Sequence, residues 1–336
     1  MIRKLLIIHL VVICFSCSKK TTSVSGAVTV TPIVPVTPLI NLPQGWKYSS
    51  NYSAGLPSGI QVFSFDTLFS GKQTKAFCLV YDNKLNRFEF KPTLSATAKK
   101  PSEFFSQETG ITYACINGGY FGGNSSYSLV KFNNTVLSPN IKVVNRTYNG
   151  TSIPYYPTRA AFGMSSSSIP SVTWVYNIGA GNDNIYSYPS PSPNAEGTAP
   201  QPLPDASFPA GGTVWSAVSA IGGSPMLIKD GSINISDVQE LININNTTSR
   251  PRSAIGYDAN GIIMLLAVEG DNPAAGYNGL SLLETANMLK NLGCTNAINL
   301  DGGGSTSLVV ANRLTVRPGD NGVERPVVSA LLIKQK

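Results

Sequence analysis

The sequence predicts an α+β fold, built as a strand-rich mixed sheet with a few helices and forming a single large domain. Short apolar runs bounded by Gly, Pro, Asn and Ser recur along the chain, whereas apolar residues at helical spacing are rare. Hydrophobic residues make up 42% of the 336 residues, so the chain can bury a sizeable core. We therefore expect residues of β-sheets to form most of the hydrophobic core.

The N-terminal segment has the layout of a secretory signal peptide. Arg3 and Lys4 precede an apolar run from Leu5 to Phe15, which is too short to cross a bilayer, since a span needs about 20 residues. Ser16 stands directly before Cys17, as in bacterial lipoprotein signals. We therefore expect Cys17 to be lipidated and to become the new N-terminus, with plain secretion as the alternative.

The chain divides into four predicted parts. Residues 1–16 are the signal peptide, and residues 17–42, rich in Ser, Thr, Val and Pro, are typical of a flexible, lipidated tether. Residues 43–110 are the N-terminal part of the globular region and carry no recognisable motif, whereas the motifs discussed below lie in residues 111–336. This layout predicts a protein of the cell envelope, lipid-anchored at the periplasmic or outer-membrane face, which contacts the membrane through the lipid anchor only.

Composition excludes several classes of function. The single histidine, His9, lies in the predicted signal peptide, so the mature chain cannot build a Ser-His-Asp triad or an HExxH zinc site. Without residues 1–16, 23 basic residues face 18 acidic ones, which is too dilute an excess for a nucleic-acid partner. Cys78, Cys115 and Cys294 cannot form a disulfide framework; one bridge or three buried thiols are the alternatives.

Apolar patterning predicts the regular elements. Ser281 caps the strongest helix, whose apolar residues repeat at helical spacing until Gly293, and weaker helices are predicted over Pro101–Gly110 and from Ser236. Seven apolar runs predict strands, and they begin at Ile60, Lys75, Arg87, Arg159, Val172, Gly261 and Val327.

One strand–helix–strand unit places two carboxylates together. The strand that begins at Gly261 and the strand Cys294–Leu300 flank the helix after Ser281, so the two strands could lie parallel. Glu269 and Asp301 stand at the carboxyl ends of these strands. We therefore expect both side chains at the same edge of the sheet.

Residues 180–212 are rich in Pro, Ser and Asn, which predicts a long loop without regular structure. Tyr186 and Tyr188 could offer their ring faces to a sugar in this loop. A mobile surface insertion is the alternative.

The most informative segment is NLDGGGSTS, Asn299–Ser307. A buried strand fixes the direction of Asp301, and the three glycines after it let backbone N–H groups approach a ligand that any Cβ would keep away. Ser305 and Thr306 add two hydroxyl donors beside the carboxylate. The segment predicts a polar ligand that is anionic or sugar-like, with a purely structural turn as the alternative.

Five further segments place polar side chains beside apolar runs, and all of them except ERPVVSALLI contain glycine. Taken in order with NLDGGGSTS, they resemble the phosphodiester glycosidase family over Thr112–Ile333. The resemblance implies a hydrolase of carbohydrate metabolism that acts at the anomeric carbon of a sugar 1-phosphodiester, in a single catalytic domain, with a sugar phosphate or glycan as its partner. The five segments are INGGYF (Ile116–Phe121), IGGSPMLIKDG (Ile221–Gly231), RPRSAIG (Arg250–Gly256), VEGD (Val268–Asp271) and ERPVVSALLI (Glu324–Ile333).

The resemblance also implies site residues. Asp301 would be base or nucleophile with Glu269 as its partner carboxylate. Arg252, together with Arg325, would clamp phosphate oxygens in bidentate fashion, and Asn117 would orient a sugar hydroxyl or the phosphate. The amides of Gly302–Gly304 would donate to an oxyanion. The full set predicted to bind substrate is Gly118, Gly119, Gly302, Gly303, Gly304, Ser305, Thr306, Arg325, Asp271 and Ser224.

This chain departs from the family pattern at two points. Members commonly read Asp-Gly-Arg where it has Glu269-Gly270-Asp271, so an acidic residue replaces a basic one, and they tend to place Ser where it has Asn278. Two other functions stay open. A metal-dependent phosphoesterase would use Asp301, Glu269 and Asp271 as ligands for Ca²⁺ or Mg²⁺, and a glycan-binding lipoprotein would use the same pocket without catalysis.

Overall fold

Strands dominate the computed structural model, which describes residues 36–336. In chain order the strands are β1 (Trp46–Tyr48), β2 (Ile60–Phe69), β3 (Lys72–Asp82), β4 (Phe88–Lys99), β5 (Thr112–Asn117), β6 (Phe121–Gly122), β7 (Ser125–Ser126), β8 (Val130–Phe132), β9 (Thr135–Ser138), β10 (Val144–Tyr148), β11 (Thr151–Tyr155), β12 (Arg159–Met164), β13 (Pro170–Asn177), β14 (Ile185–Tyr188), β15 (Thr213–Val214), β16 (Ser219–Gly222), β17 (Met226–Lys229), β18 (Ser232–Ile233), β19 (Arg252–Asp258), β20 (Ile262–Val268), β21 (Cys294–Asn299), β22 (Leu308–Val310), β23 (Arg313–Leu314) and β24 (Val327–Gln335). The α-helices are α1 (Ser50–Ser53), α2 (Pro101–Gln107) and α3 (Leu282–Asn291), and single turns of 3₁₀ helix lie at Asn83–Leu85, Pro273–Ala275 and Gly303–Ser305.

The strands form three main sheets. Sheet A has the order β1-β2-β3-β20-β19-β21-β17-β18, sheet B the order β15-β14-β13-β12-β16-β8-β9, and sheet C the order β23-β22-β5-β24-β4, while β6-β7 and β10-β11 are separate hairpins. All seven predicted strands are present, as β2, β3, β4, β12, β13, β20 and β24. The prediction of a mixed sheet was wrong, because every pairing in residues 36–336 is antiparallel.

The unit that was expected to hold a parallel pair has one extra strand inside it. Strand β19 pairs antiparallel with β20 on one side and with β21 on the other. Strands β20 and β21 therefore run in the same direction without bonding to each other, and their carboxyl ends reach the same edge of sheet A. Helix α3 joins them, capped as predicted by Ser281, whose hydroxyl accepts a hydrogen bond from the amide of Glu284.

The three sheets share one core. On β3, Phe77 and Leu79 face this shared core, whereas the alternate residues Cys78 and Val80 face a second cluster that includes Leu289 of α3. Burial on both faces explains why β3 is a continuous apolar run rather than an alternating one. Sheets B and C meet where the rings of Phe90 and Phe162 stack with centroids 5.4 Å apart.

Two local predictions were wrong. The segment from Ser236 forms one turn at residues 237–241 and not a helix, because Leu241 adopts a positive φ of 50° and the carboxylate of Glu240 is committed to bonds with other strands. The loop at residues 180–212 contains strand β14. Tyr188 on β14 is buried and donates a hydrogen bond to the carbonyl of Asp205, so its ring offers no face to a sugar.

Residues 38–336 form one compact unit, so residues 43–110 and 111–336 do not fold as separate bodies. Leu39, Ile40 and Leu42, predicted to belong to the tether, pack against the core on the α3 side of sheet A. The signal peptide, Cys17 and the rest of the tether lie outside the described residues, and lipidation stays a prediction. The three described cysteines are buried free thiols. Within residues 36–336, no helix has the length and apolar character that crossing a membrane requires.

Candidate active site

A polar cavity of about 510 Å³ opens at the edge of sheet A where β20 and β21 end and β19 begins. We call it the Asp301 cavity. Asp301 follows β21, Asp271 follows β20, and Arg252 is the first residue of β19. Its lining residues are Tyr120, Asn243, Ile244, Asn245, Arg250, Arg252, Asp271, Asp301, Gly302, Gly303, Gly304, Asp320 and Arg325.

Four of the six charged side chains in the cavity neutralise one another. Arg325 binds Asp320 through two hydrogen bonds, from Nε at 2.7 Å and from Nη2 at 2.8 Å. Arg250 binds Asp271 with 3.2 Å between Nη1 and Oδ1.

Arg252 and Asp301 are the other two charged groups of the cavity. Neither makes an ion pair within the part of the chain that the structure describes. The cavity therefore holds one cation and one carboxyl group whose charges are not compensated by direct contact.

The carboxyl group of Asp301 has a raised pKa. Burial raises the pKa of its carboxyl group to about 6, against the opposing effects of the Ser305 hydroxyl, the Gly302 amide and the charge of Arg325. The amide of Gly302 donates to Oδ1 at 2.9 Å. The Ser305 hydroxyl is near enough to lower the pKa, although it makes no hydrogen bond of good geometry within the described chain.

Arg252 is a buried cation held by carbonyl groups. Its Nε donates to the carbonyl of Leu280 at 2.9 Å, Nη1 to that of Ile244 at 3.3 Å, and Nη2 to those of Asn245 and Thr248 at 2.7 and 3.1 Å. Burial lowers the pKa of its guanidinium to about 10, which leaves it charged at neutral pH.

These four bonds limit what Arg252 can do for a ligand. They use four of the five N–H groups of the guanidinium, so one N–H remains for a ligand. The predicted bidentate clamp by Arg252 is therefore not available in this arrangement. Arg325 has three N–H groups outside its pair with Asp320 and is better placed to grip a phosphate.

Tyr120 forms the wall of the cavity next to Asp301. Its hydroxyl donates to the carbonyl of Ser224 at 2.6 Å and accepts a hydrogen bond from Nδ2 of Asn299 at 2.8 Å. Burial, and then the nearby Asp301 carboxylate, raise the pKa of this hydroxyl well above its usual value. Tyr120 therefore serves as a neutral wall with a fixed orientation.

Asn117 does not line the cavity, although it was expected to orient a sugar or phosphate. It is fully buried, and its Nδ2 donates to the main-chain carbonyl of Asp301 at 2.7 Å. Its Oδ1 accepts from the Ser253 hydroxyl at 2.7 Å and from the Ser307 amide at 3.1 Å. The structure makes Asn117 a positioning residue that ties Asp301 to β19 and to the start of β22.

Glu269 lies at the expected sheet edge but outside the lining of the cavity. It is buried, its Oε2 is 3.4 Å from Nζ of Lys75, and its two oxygens also accept bonds from Asn272 and from the amide of Arg317. Through these contacts the carboxylate of Glu269 stabilises the loops around the cavity. Its expected role as partner of Asp301 is not supported by its position.

The predicted glycines divide into two groups. Gly302, Gly303 and Gly304 line the cavity, but the amide of Gly302 is bound to Asp301 and that of Gly303 to the carbonyl of Pro251, so neither is free for an oxyanion. Gly118 and Gly119 lie outside it, where a Cβ would collide with neighbouring main chain. Ser224, Ser305 and Thr306 are buried behind the cavity wall.

The residues proposed as ligands for Ca²⁺ or Mg²⁺ do not come together. Glu269 is held by Lys75 and Asp271 by Arg250, and only Asp271 and Asp301 line the cavity. No group of three His, Cys, Asp or Glu side chains within residues 36–336 is arranged to hold a metal ion. The donor set therefore does not fit a divalent cation.

Sequence reasoning missed Arg250, Asp320 and the segment 243–245. Arg250 had a usable signal, because it stands two residues before Arg252 and an extended chain puts such residues on one side. Asp320 had no signal, since it approaches the cavity through its pair with Arg325. A second cavity, of about 610 Å³, lies at the far end of β19 near Tyr257 and contains none of the motif residues.

The family model for phosphodiester glycosidase matches residues 112–334. N-acetylglucosamine-1-phosphodiester alpha-N-acetylglucosaminidase of Bos taurus is 35% identical over 114 residues, which are 31% of this chain and 21% of the relative. The Homo sapiens protein of the same name is also 35% identical over 114 residues, which are 22% of its length. The matched region thus spans about a fifth of these curated relatives.

Two solved structures share the fold. The catalytic domain of zebrafish N-acetylglucosamine-1-phosphodiester alpha-N-acetylglucosaminidase, in a form auto-inhibited by its pro-peptide, matches with a TM-score of 0.56 and 18% identity, covering 87% of this chain and 89% of that one. A hypothetical protein from Synechocystis matches with a TM-score of 0.55 and 19% identity, covering 87% and 69%.

Proposed function

The chain belongs to the phosphodiester glycosidase family, and from this membership we propose that it hydrolyses the glycosidic bond of a sugar 1-phosphodiester. The products are the free sugar and a phosphate monoester. The proposal is supported by the Asp301 cavity, which combines a carboxyl group whose pKa is about 6 with an uncompensated buried guanidinium. This pairing suits a substrate that carries a negative phosphate beside an electrophilic carbon.

Cleavage of this glycosidic bond does not require a strong general acid in the cavity. A phosphate monoester has a second pKa of about 6, far below that of an alcohol, so it leaves the anomeric carbon without a strong general acid. The described part of the chain contains no histidine, and none is needed for this step.

Asp301 is the group that acts on the sugar. Its ionised carboxylate stabilises the positive charge that develops at the anomeric carbon, and it either activates a water molecule or attacks the carbon directly. The anomeric configuration of the released sugar distinguishes these two routes. Asp271 and Asp320, the other carboxylates of the cavity, are held by arginines and are less available for this role.

Two arginines of the cavity bind the phosphate group of the substrate. Arg325 grips phosphate oxygens with the N–H groups that Asp320 leaves free, and Arg252 contributes one N–H together with its buried positive charge. Arg252 also fixes the segment 244–248 through its carbonyl bonds, which keeps this wall of the cavity in place.

The proposal is tested with a panel of sugar 1-phosphodiesters and with Asp301→Asn. We expect the wild-type protein to release free sugar and the variant to lose at least about a hundredfold in kcat, as for removal of a general base or nucleophile. Chelators should leave the rate unchanged, and phosphate monoesters should not be cleaved. Binding of the diesters without release of sugar over hours would reduce the protein to a glycan-binding role.

A further inference from the structure

The ion pair between Arg250 and Asp271 affects which charge state of a phosphate ligand the cavity prefers. We infer that Asp271 sets the charge selectivity of the Asp301 cavity, so that it binds the singly charged phosphodiester and releases the doubly charged monoester product. The identity of these two ligands rests on the proposed function.

The charges of the cavity balance. Three arginines and three aspartates line it, and with Asp301 ionised their formal charges sum to zero. Asp271 cancels Arg250 at 3.2 Å and Asp320 cancels Arg325 at 2.7 Å. Among the arginines that line the cavity, Arg252 alone has no carboxylate of the described chain in direct contact, so its charge can be matched by one negative charge of a ligand whose phosphate oxygens are bound by Arg325.

The reaction itself changes the charge of the ligand. Water adds its oxygen to the anomeric carbon, the bond from that carbon to the phosphate oxygen breaks with its electrons going to the phosphate, and a proton is released. A diester with one negative charge therefore becomes a monoester that carries nearly two near pH 7.5, since its second pKa is about 6. The carboxylates of Asp271 and Asp301 repel this second negative charge of the monoester. No further unpaired cation of the described chain lines the cavity to compensate for it.

Asp271 is better suited to this role than Asp320. Asp320 is bound to Arg325 by two short bonds and fills the space above Gly304, so its loss would disturb the cavity wall. The bond from Arg250 to Asp271 is longer, and both side chains are about one-third to two-fifths exposed. Removing the charge of Asp271 should therefore change the potential of the cavity while the wall stays in place.

The variant Asp271→Asn tests this inference. Asp271 has a φ of 50°, a conformation that Asn tolerates well, so the backbone should not change. Asp230→Asn is a matched control, because Asp230 also has a φ of 50° and pairs with Lys229 at 3.3 Å, but outside the cavity. The probes are methyl phosphate, with two charges, and dimethyl phosphate, with one.

Dissociation constants are measured by NMR titration at pH 7.5 and low salt. We expect Asp271→Asn to bind methyl phosphate about threefold to tenfold more tightly, and dimethyl phosphate by a smaller factor, because the gain scales with ligand charge. The double variant Arg250→Gln/Asp271→Asn should return to within about twofold of the wild type, and salt should reduce the differences. Asp230→Asn should match the wild type.

Three results would overturn the inference. They are equal affinities of wild type and Asp271→Asn for methyl phosphate, an equal gain in Asp230→Asn, or no binding of methyl phosphate by either protein. These measurements need no turnover, so they separate the inference from the proposed function. If the wild type cleaves no sugar 1-phosphodiester, the function fails while the charge selectivity can still be observed.

Discussion

The side-chain amide of Asn117, at the end of β5 in sheet C, donates a 2.7 Å hydrogen bond to the main-chain carbonyl of Asp301, which follows β21 in sheet A. The amide of Asp301 in turn donates to the carbonyl of Gly118 at 3.1 Å. The position of Asp301 is thus set by a contact between two sheets. Asn117 should accordingly matter for structure as much as for rate.

Replacing Asn117 by Ala should destabilise the protein. The change leaves the buried Ser307 amide and the Asp301 carbonyl without their partners, and we expect the free energy of unfolding to fall by about 2–4 kcal/mol, measured by urea denaturation. The value of kcat should fall with it, because Asp301 loses its support. Unchanged stability combined with a higher KM would instead indicate direct contact with substrate.

The stability of the protein should depend on the ionisation of Asp301. Its pKa is about 6 in the folded protein against an ordinary value of 3.8, so the folded state binds the proton more tightly than the unfolded state. This contribution is fully present below about pH 4 and is lost as the pH rises through about 6. Between pH 4 and 8 the unfolding free energy of the wild type should fall by about 2–3 kcal/mol relative to Asp301→Asn. A constant difference across this range would contradict the raised pKa.

Glu269→Gln separates a supporting role from a catalytic one. The change weakens the contact with Lys75 while keeping the shape of the side chain, so we expect a loss of about 1–3 kcal/mol in unfolding free energy. We expect kcat to fall less than tenfold, in contrast to Asp301→Asn. A hundredfold loss of kcat with normal stability would restore Glu269 as the catalytic partner of Asp301.

Gly304→Ala should disrupt the cavity more than the fold. A Cβ at Gly304 would collide with the carboxylate of Asp320 and the guanidinium of Arg325, so their pair must move. We expect KM for a sugar 1-phosphodiester to rise about tenfold or more, as for the loss of a phosphate contact of about 1.5 kcal/mol. Gly181→Ala is the control, since a Cβ there meets no atom within 4 Å. Equal kinetics for both variants would argue against a role of Arg325 in binding.

The strands and the location of the cavity could be predicted from the sequence. Strand β20 reads as a continuous apolar run because both of its faces are buried, and Asp301 was conspicuous because three glycines follow it. The antiparallel insertion of β19 between β20 and β21 left no periodic signal. It was therefore missed, although the sheet edge was predicted correctly.

The role of each polar residue near the cavity was harder to predict from the sequence than its position. Glu269 and Asp301 share the same signal, a carboxylate at the end of a strand, yet only Asp301 lines the cavity, because Lys75, far away in the sequence, holds Glu269. Arg252 was predicted as a free clamp, but four carbonyl groups occupy it. Such long-range partners decide which polar group is free for a ligand, and no local pattern encodes them.

Strand β3 pairs with β20 over seven residues from Asp82 to Ala76, and β4 pairs with β24. The stretch that carries the family motifs begins only at residue 112. A recombinant protein trimmed to that boundary would leave β20 and β24 as bare edges with apolar faces, and we expect it to aggregate. The segment recognisable by homology is thus smaller than the segment needed for a soluble, folded protein, and expression should start upstream of Leu39.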